Sequence, residues 1–276
     1  YHYADLAEIF DALQVEQAVY LFKLIDSEKT ADMLTELDED VRESILDALS
    51  SEEIATEINE LDTDDAVDIV AELPVEIRKE VIDQISDTEH ADDIRELLAY
   101  DENSAGGLMA KELVCVNQNW TVTRCVREMR IQAQEVTRVH SIYVIDNENV
   151  LLGRLSLKDL LTANEKSKIV SVYIPKVDYV QVDIEGEEVA KIMSKYDLEA
   201  IPVVNENKQL VGRITIDDIV DLIKDEAKCV KKDLKSRRRT NTFLSLRSLV
   251  SIPLLSDILK RAFRRSLFFL EAKSYP

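Results

Sequence analysis

Apolar residues recur along the first hundred positions with a short, regular beat. Leu37, Leu49, Leu61, Leu73 and Ile85 stand twelve apart, and each is followed by a residue that favours a helix start: Asp38, Ser50, Asp62, Pro74 and Ser86. Ser50 with Glu53, and Ser86 with Glu89, read as capping boxes, and Pro74 suits a first helical position. Between these marks lie 3-4 spaced apolar sets such as Val41, Ile45, Leu46, Leu49 and Ile77, Val81, Ile82, Ile85. The chain opens on an acidic amphipathic stretch over 3–22, and no glycine occurs before Gly106. A unit of one short helix and a turn cannot enclose a core alone, so the pattern predicts helices stacked into a solenoid or superhelix.

A different duplication follows, with a period of 59. "IYVIDNENVLLGRLSLKDLL" begins at Ile142 and "IPVVNENKQLVGRITIDDIV" at Ile201, and Val144/Val203, Gly153/Gly212, Arg154/Arg213 and Asp159/Asp218 are identical pairs. Each copy reads as strand, polar turn (146–149 and 205–208), strand and helix. Ser156 and Thr215 stand as caps, with an acid three residues on. An upstream strand and an amphipathic helix (122–129 and 189–196) complete a β-α-β-β-α unit in each copy.

Charge divides the chain the same way. Residues 1–110 carry 32 acids and 6 bases, 111–227 carry 20 and 15, and 228–276 carry 3 and 13, within an overall −21. A field of that sign repels nucleic acid and attracts cations. Cys115, Cys125 and Cys229 show no CxxC and imply no disulfide framework, and His2, His90 and His140 are too scattered for a zinc site. No secretory leader is read at the start, and no apolar run reaches the ~18 residues of a membrane span. The richest run, 243–259, is broken by Arg247, Pro253 and Asp257. No nucleophile–base pair, P-loop, HExxH or GxGxxG is present, so no enzyme is expected. Trp120, Cys115 and Cys125 read as packing residues. Arg154 and Arg213 read as partners for acids across the interface of the two copies, or as surface charges.

The tandem β-α-β-β-α unit with G-x-x-[ST]-x-x-D before its last helix resembles a cystathionine-β-synthase (CBS) domain pair. "NSAGGLM" at 103–109 closes the acidic helical repeats. It is followed by "LVCVNQNWTV", "KYDLEAIPVVNE" and "LVGRITIDDIVDLI", and over about 1–227 this order resembles the cytosolic part of the MgtE family of magnesium channels and transporters. The fold expected is α plus α/β: an α-helical superhelical repeat domain (1–102), a linker (103–110), CBS 1 (111–166) and CBS 2 (167–227), then a basic tail (228–276). The resemblance implies a homodimer through the CBS domains on the cytoplasmic face of the cell membrane. It also implies Mg²⁺ binding between the acidic domain and the CBS pair that favours a compact, channel-closed state, and a membrane pore domain outside this chain.

Mg²⁺ is hard and prefers oxygen ligands, so carboxylates are the candidates. Asp64 and Asp68 lie on one helical face and match the family's acidic pair, and Asp32 matches another position of that domain. Glu185, Glu187 and Asp197 match ligand positions of the second CBS copy, Gly107 and Ser194 match backbone-carbonyl positions, and Asp218, Asp221 and Glu226 match the acidic row of the last helix. Ser156/Asp159 and Thr215/Asp218 also fit the ribose and phosphate contacts of CBS pairs that bind ATP or another adenine nucleotide. The same residues serve equally as helix caps, and Ser141 stands where some family members have an aromatic residue. A nucleotide-sensing module with an interaction solenoid is therefore the second reading, and a ligand-free structural solenoid the third. After Ala227 the family pattern ends in "KCVKKDLKSRRR". The tail reads as a basic amphipathic helix for a membrane surface or a calmodulin-like partner, as a segment docking on the acidic unit, or as non-native sequence.

Overall fold

The computed structural model describes residues 2–134, 136 and 138–224. Glu226, Cys229 and the whole basic tail, with the expectations attached to them, lie outside the described residues. Contacts divide the molecule into two units, one holding 1–184 and 202–214, the other holding 185–201 and, of the described residues, 215–224.

Eight helices open the first unit: α1 (Tyr3–Asp11), α2 (Val15–Phe22), α3 (Ser27–Glu36), α4 (Glu39–Leu46), α5 (Ser51–Ile58), α6 (Thr63–Glu72), α7 (Val75–Gln84) and α8 (Thr88–Leu97). Their first residues step by twelve from Tyr3 to Val75, so the repeat begins three helices earlier than the leucine ladder indicates. The stretch over 3–22 is two helices, parted at 12–14. Helices two apart in sequence pack together, α1 on α3, α3 on α5 and α5 on α7, with α2 on α4 and α6 on α8. That is the stacking of a superhelix whose units contact near neighbours. Leu37, Leu61, Leu73 and Ile85 close successive turns and are buried with Ile45, Ile58, Ile69, Val70 and Ile94.

Local capping follows the sequence in part. Ser50 and Glu53 form a reciprocal capping box. The second box does not form: Asp87 caps α8 by accepting from Glu89 and His90, while the Ser86 hydroxyl turns to Asn59. The Asp87 carboxylate, two residues before Glu89 and three before His90, accepts from both amides, so Ser86 is not needed as the cap. Pro74 stands one place earlier than expected, as the N-cap of α7.

One acid is buried inside the superhelix. Glu57 on α5 is 8% exposed, and the Thr30 hydroxyl of α3 donates to it at 2.7 Å. Burial pushes its carboxyl from 4.5 up to about 7; the Thr30 bond opposes this and the Glu60 charge adds to it. A raised acid binds its proton in the fold at pH values where the unfolded chain has released it. Stability is therefore full below 4.5 and falls as pH rises to about 7, by about 2–3 kcal/mol. Glu57→Gln keeps the neutral partner for Thr30. It is expected to flatten the difference in urea unfolding free energy between pH 5 and pH 8, whereas an unchanged slope would assign the pH dependence to other groups.

Each CBS copy builds a three-stranded sheet. In the first, β1 (Val114–Asn117) runs parallel to β2 (Ile142–Ile145), which pairs antiparallel with β3 (Leu151–Leu155); α9 (Val122–Gln132) and α10 (Leu157–Thr162) complete the copy. In the second, β4 (Val180–Gln181), β5 (Ala200–Val204) and β6 (Leu210–Thr215) repeat the order, with α11 (Gly186–Tyr196) between β4 and β5 and a final helix described over 216–224. The expected α plus α/β architecture is the one observed. Buried Val114, Val116, Cys125, Ile142, Val144 and Leu155 form the first copy's core, with Trp120 packed against it and Arg124 stacked over the indole. Cys125 is fully buried, which pushes its thiol up to about 11 and keeps it unreactive. Among the described residues no helix is long and apolar enough to cross a membrane.

The duplicated turns and glycines have a common cause. Asn149 and Lys208 take equivalent left-handed conformations (φ 61° and 60°), and the Asp146 and Asn205 side chains each accept two amides across their turn. Both turns bond to each other through Leu151 N–H to the Lys208 carbonyl and Leu210 N–H to that of Asn149. At Gly153 the segment before the second copy crosses the first, paired through Arg154 and Ile174; at Gly212 the segment before the first copy crosses β6, paired through Ala110 and Arg213. A Cβ at Gly153 would sit 2.2 Å from the Ile174 carbonyl oxygen, and one at Gly212 2.8 Å from that of Ala110. Two crossing backbones therefore demand glycine at the same place in both copies.

Candidate functional site

The segment expected as a linker, 103–110, is hydrogen-bonded to the CBS fold. Ala105 and Gly106 donate to the carbonyls of Ile184 and Val182, and Ala110 exchanges two bonds with Arg213. Gly107 has no room for a side chain, since a Cβ would meet the Asp101 carbonyl at 2.3 Å. This stitching brings Lys111 and Glu112 to the helical domain.

The N-terminus of α6 is the meeting point. Its free amides favour a carboxylate, and Asp62 is the residue the sequence offers as cap. Asp62 makes no side-chain cap. Glu112 does so instead, from 49 positions on: the Thr63 N–H lies 3.1 Å from both of its carboxylate oxygens, the Thr63 hydroxyl donates at 2.9 Å, and the Lys111 N–H donates to that hydroxyl at 2.8 Å. Asp62 pairs with Arg213, Oδ2 to Nη2 at 3.2 Å, and Arg213 Nε donates to the Glu112 carbonyl. Arg213 is only 6% exposed. It joins β6 both to the helical domain and to the start of the first CBS copy. Burial raises the Glu112 carboxyl above its usual range and the Asp62 charge adds to this, while the Thr63 bonds oppose it.

Asp64 stands beside these groups. Carboxylate oxygens of Asp62, Asp64 and Glu112 lie within 4.8 Å of one another, all on half-buried residues. Oxygens on opposite sides of one Mg²⁺ are about 4.2 Å apart, so the spread suits an ion that keeps some of its water. Three carboxylates against the single Arg213 guanidinium leave an excess of two negative charges, the charge of a divalent cation. Of the three acids, only Asp64 was a candidate from the sequence. Asp62 was hidden by its role as a helix-start residue, and Glu112 stands outside every motif.

Asp68 is exposed on α6, and its charge falls on Arg42, which holds Glu72 with two hydrogen bonds. Asp32 lies in the same acidic field: partial burial raises its carboxyl, and Glu28 and Asp62 raise it further. In the second unit Glu185 is the N-cap of α11, and Asp197 ends that helix in a left-handed conformation. Glu187 pairs with Lys191 at 3.2 Å and Asp221 with Lys224 at 2.6 Å, both at exposed positions. Asp218 takes the capping role, accepting from the Thr215 N–H at 2.6 Å and from its hydroxyl at 2.9 Å. The first copy differs, since Ser156 makes no side-chain cap with Asp159. Tyr143 is a buried strand residue of β2.

The family model for the MgtE intracellular N domain matches residues 1–103, and that for the CBS domain matches 105–166 and 170–225. A crystal structure of the cytosolic domain of the Mg²⁺ channel MgtE in complex with ATP superposes with a TM-score of 0.74 at 33% identity, over 80% of this chain and 90% of that one. The chain belongs to the MgtE family. A second solved structure, the soluble part of a magnesium transporter, gives a TM-score of 0.73 at 30% identity, over 82% and 89% of the two chains. The magnesium transporter MgtE of Thermus thermophilus is 41% identical over 131 residues, 48% of this chain and 29% of that protein. The chain thus spans about three-tenths of the length of the curated MgtE relatives it matches.

Proposed function

We propose that this chain is the Mg²⁺-sensing cytosolic region of a magnesium transporter of the MgtE type, on the cytoplasmic face of the cell membrane, and that it acts on a pore domain beyond this chain. The observation that carries the reading is the group of Asp62, Asp64 and Glu112, which joins an acid-rich helical domain to the start of the first CBS copy. An ion there replaces repulsion between carboxylates by attraction and so favours the docked, compact, channel-closed state. It does so only through its higher affinity for that state. Asp32 and Asp68 strengthen the field, and Gly107 offers a carbonyl. Glu185, Glu187, Asp197, Asp218, Asp221 and Glu226 would serve further ions. A homodimer through the CBS helices fits the exposed Ile131 of α9 and the exposed Leu157 and Leu161 of α10.

A second reading is favoured by the ATP held in the related cytosolic domain. Asp159, which Ser156 leaves uncapped, suits a ribose hydroxyl. Calorimetric titration separates the two ligands. Mg²⁺ at fixed ionic strength is expected to bind saturably in the millimolar range without nucleotide, and Asp159→Asn is expected to weaken ATP binding while leaving the Mg²⁺ isotherm unchanged. Flat Mg²⁺ heats beside tight ATP binding would make nucleotide sensing the function.

A further inference from the structure

Glu57 lies on α5, which packs on α3 and α7, and the proposed ion site makes no use of it. Its buried surroundings are apolar but for one hydroxyl: α7 buries Val81 and Ile82, and α3 buries Ala31, Met33 and Leu34 beside Thr30. The charged side chains of both helices are exposed, namely Glu28, Lys29, Asp32 and Glu36 on α3 and Glu76, Lys79, Glu80 and Asp83 on α7. Half-buried Arg78 donates to the Ala71 and Leu73 carbonyls instead. On α5 itself Glu52 is exposed and Glu53 holds Lys23, and the charge that acts on Glu57, that of Glu60, has the same sign. The Thr30 hydroxyl has one hydrogen and three acceptors, a Glu57 oxygen at 2.7 Å and the Asp26 and Ser27 carbonyls at 3.2 Å each. With Glu57 neutral, its own O–H fills the short contact and the Thr30 hydrogen turns to a carbonyl, so every hydrogen is used. With Glu57 ionised, the Thr30 hydrogen must turn to the carboxylate, and one hydroxyl stands against the cost of a charge among apolar groups.

We propose that Glu57 and Thr30 form a proton-operated joint inside the helical domain: the neutral acid closes α3 on α5, and loss of its proton to solvent lets α3 open locally while the later helices stay folded. Units of a stacked superhelix contact near neighbours, so one seam can open alone. Opening takes α1 with α3, on which it packs, and leaves α5 seated on the apolar side of α7. The freed carboxylate is then solvated at no cost to the rest of the stack. The joint belongs to the helical domain by itself and does not rest on the ion-sensing reading.

Hydrogen exchange of the full chain tests the joint, read peptide by peptide by mass spectrometry in EDTA at pH 6 and pH 8 and corrected for the intrinsic rates. With the acid moved from 4.5 to about 7 in the closed state, opening of α3 is expected to become about tenfold more favourable between the two pH values, while α7 and α8 keep their protection. Glu57→Gln is expected to hold α3 equally closed at both, and to lose the infrared carbonyl band of a neutral carboxylic acid that the parent shows at pH 6. Thr30→Val conserves shape and removes the donor to the ionised form, so it is expected to move the pH midpoint of opening upward; it carries the test should Glu57→Gln fail to fold. Equal protection of α3 at pH 6 and pH 8 overturns the proposal. So does a loss that persists in Glu57→Gln, one spread evenly over all eight helices, or an unmoved midpoint in Thr30→Val.

Discussion

Gly153→Ala is expected to destabilise the protein by about 3 kcal/mol or more, and Gly212→Ala by somewhat less. At Gly153 the added carbon would press on the Ile174 carbonyl, a backbone atom held by reciprocal hydrogen bonds with Arg154 at 2.9 and 3.1 Å. Relief requires the two crossing segments to part, which breaks both bonds and uncovers the core beneath. At Gly212 the first obstacle is the Met109 side chain, 2.7 Å from the added carbon, and a thioether yields more readily than a backbone. The Ala110 carbonyl still stands behind it, and Ala110 positions the segment that carries Lys111 and Glu112. Gly212→Ala is therefore expected to disturb the α6 site as well as stability. Chemical denaturation of both variants checks the order; a loss under about 1 kcal/mol at Gly153 would mean that the crossing adapts.

Asp64→Asn combined with Asp68→Asn is expected to abolish the Mg²⁺ response over the millimolar range and to leave the fold intact. Each carboxylate near a divalent ion contributes about 1 kcal/mol or more even at a wet site, so removing two weakens binding roughly tenfold or beyond. The two changes are not equal. Asp64 lies with Asp62 and Glu112, whereas the charge of Asp68 falls on Arg42. Asp64→Asn alone is expected to account for most of the loss. Helicity is little altered, since relief of the like-charge pair four residues apart offsets the lost acid in the first turn of α6. An unchanged Mg²⁺ isotherm in the double variant would remove these acids from the site.

The repeats were legible in the sequence because each is a local pattern. An apolar residue every twelve positions and a helix starter after it mark the superhelix, and Gly153 and Gly212 mark two places where chain crosses chain. The first three helices are not marked by the ladder: Leu13 and Ile25 continue its spacing of twelve, but they are followed by Gln14 and Asp26 within a less regular stretch before Leu37. The choice between Ser86 and Asp87 as cap turned on a side-chain reach that spacing does not encode. The site was legible only in Asp64. Glu112 caps a helix 49 residues upstream, and Arg213 pairs with an acid 151 residues away. Neither partnership leaves a periodic trace, because each depends on how the segment over 103–110 is stitched to β6.

A divalent ion is predicted to draw the acidic helical domain and the CBS region into a compact state. Small-angle scattering during a Mg²⁺ titration tests it most directly, with ionic strength held constant by Na⁺. A saturable fall in the radius of gyration at millimolar Mg²⁺, absent from the Asp64→Asn, Asp68→Asn protein, is the predicted result. A profile that stays flat in the unaltered protein, or one that contracts equally in the double variant, would contradict it.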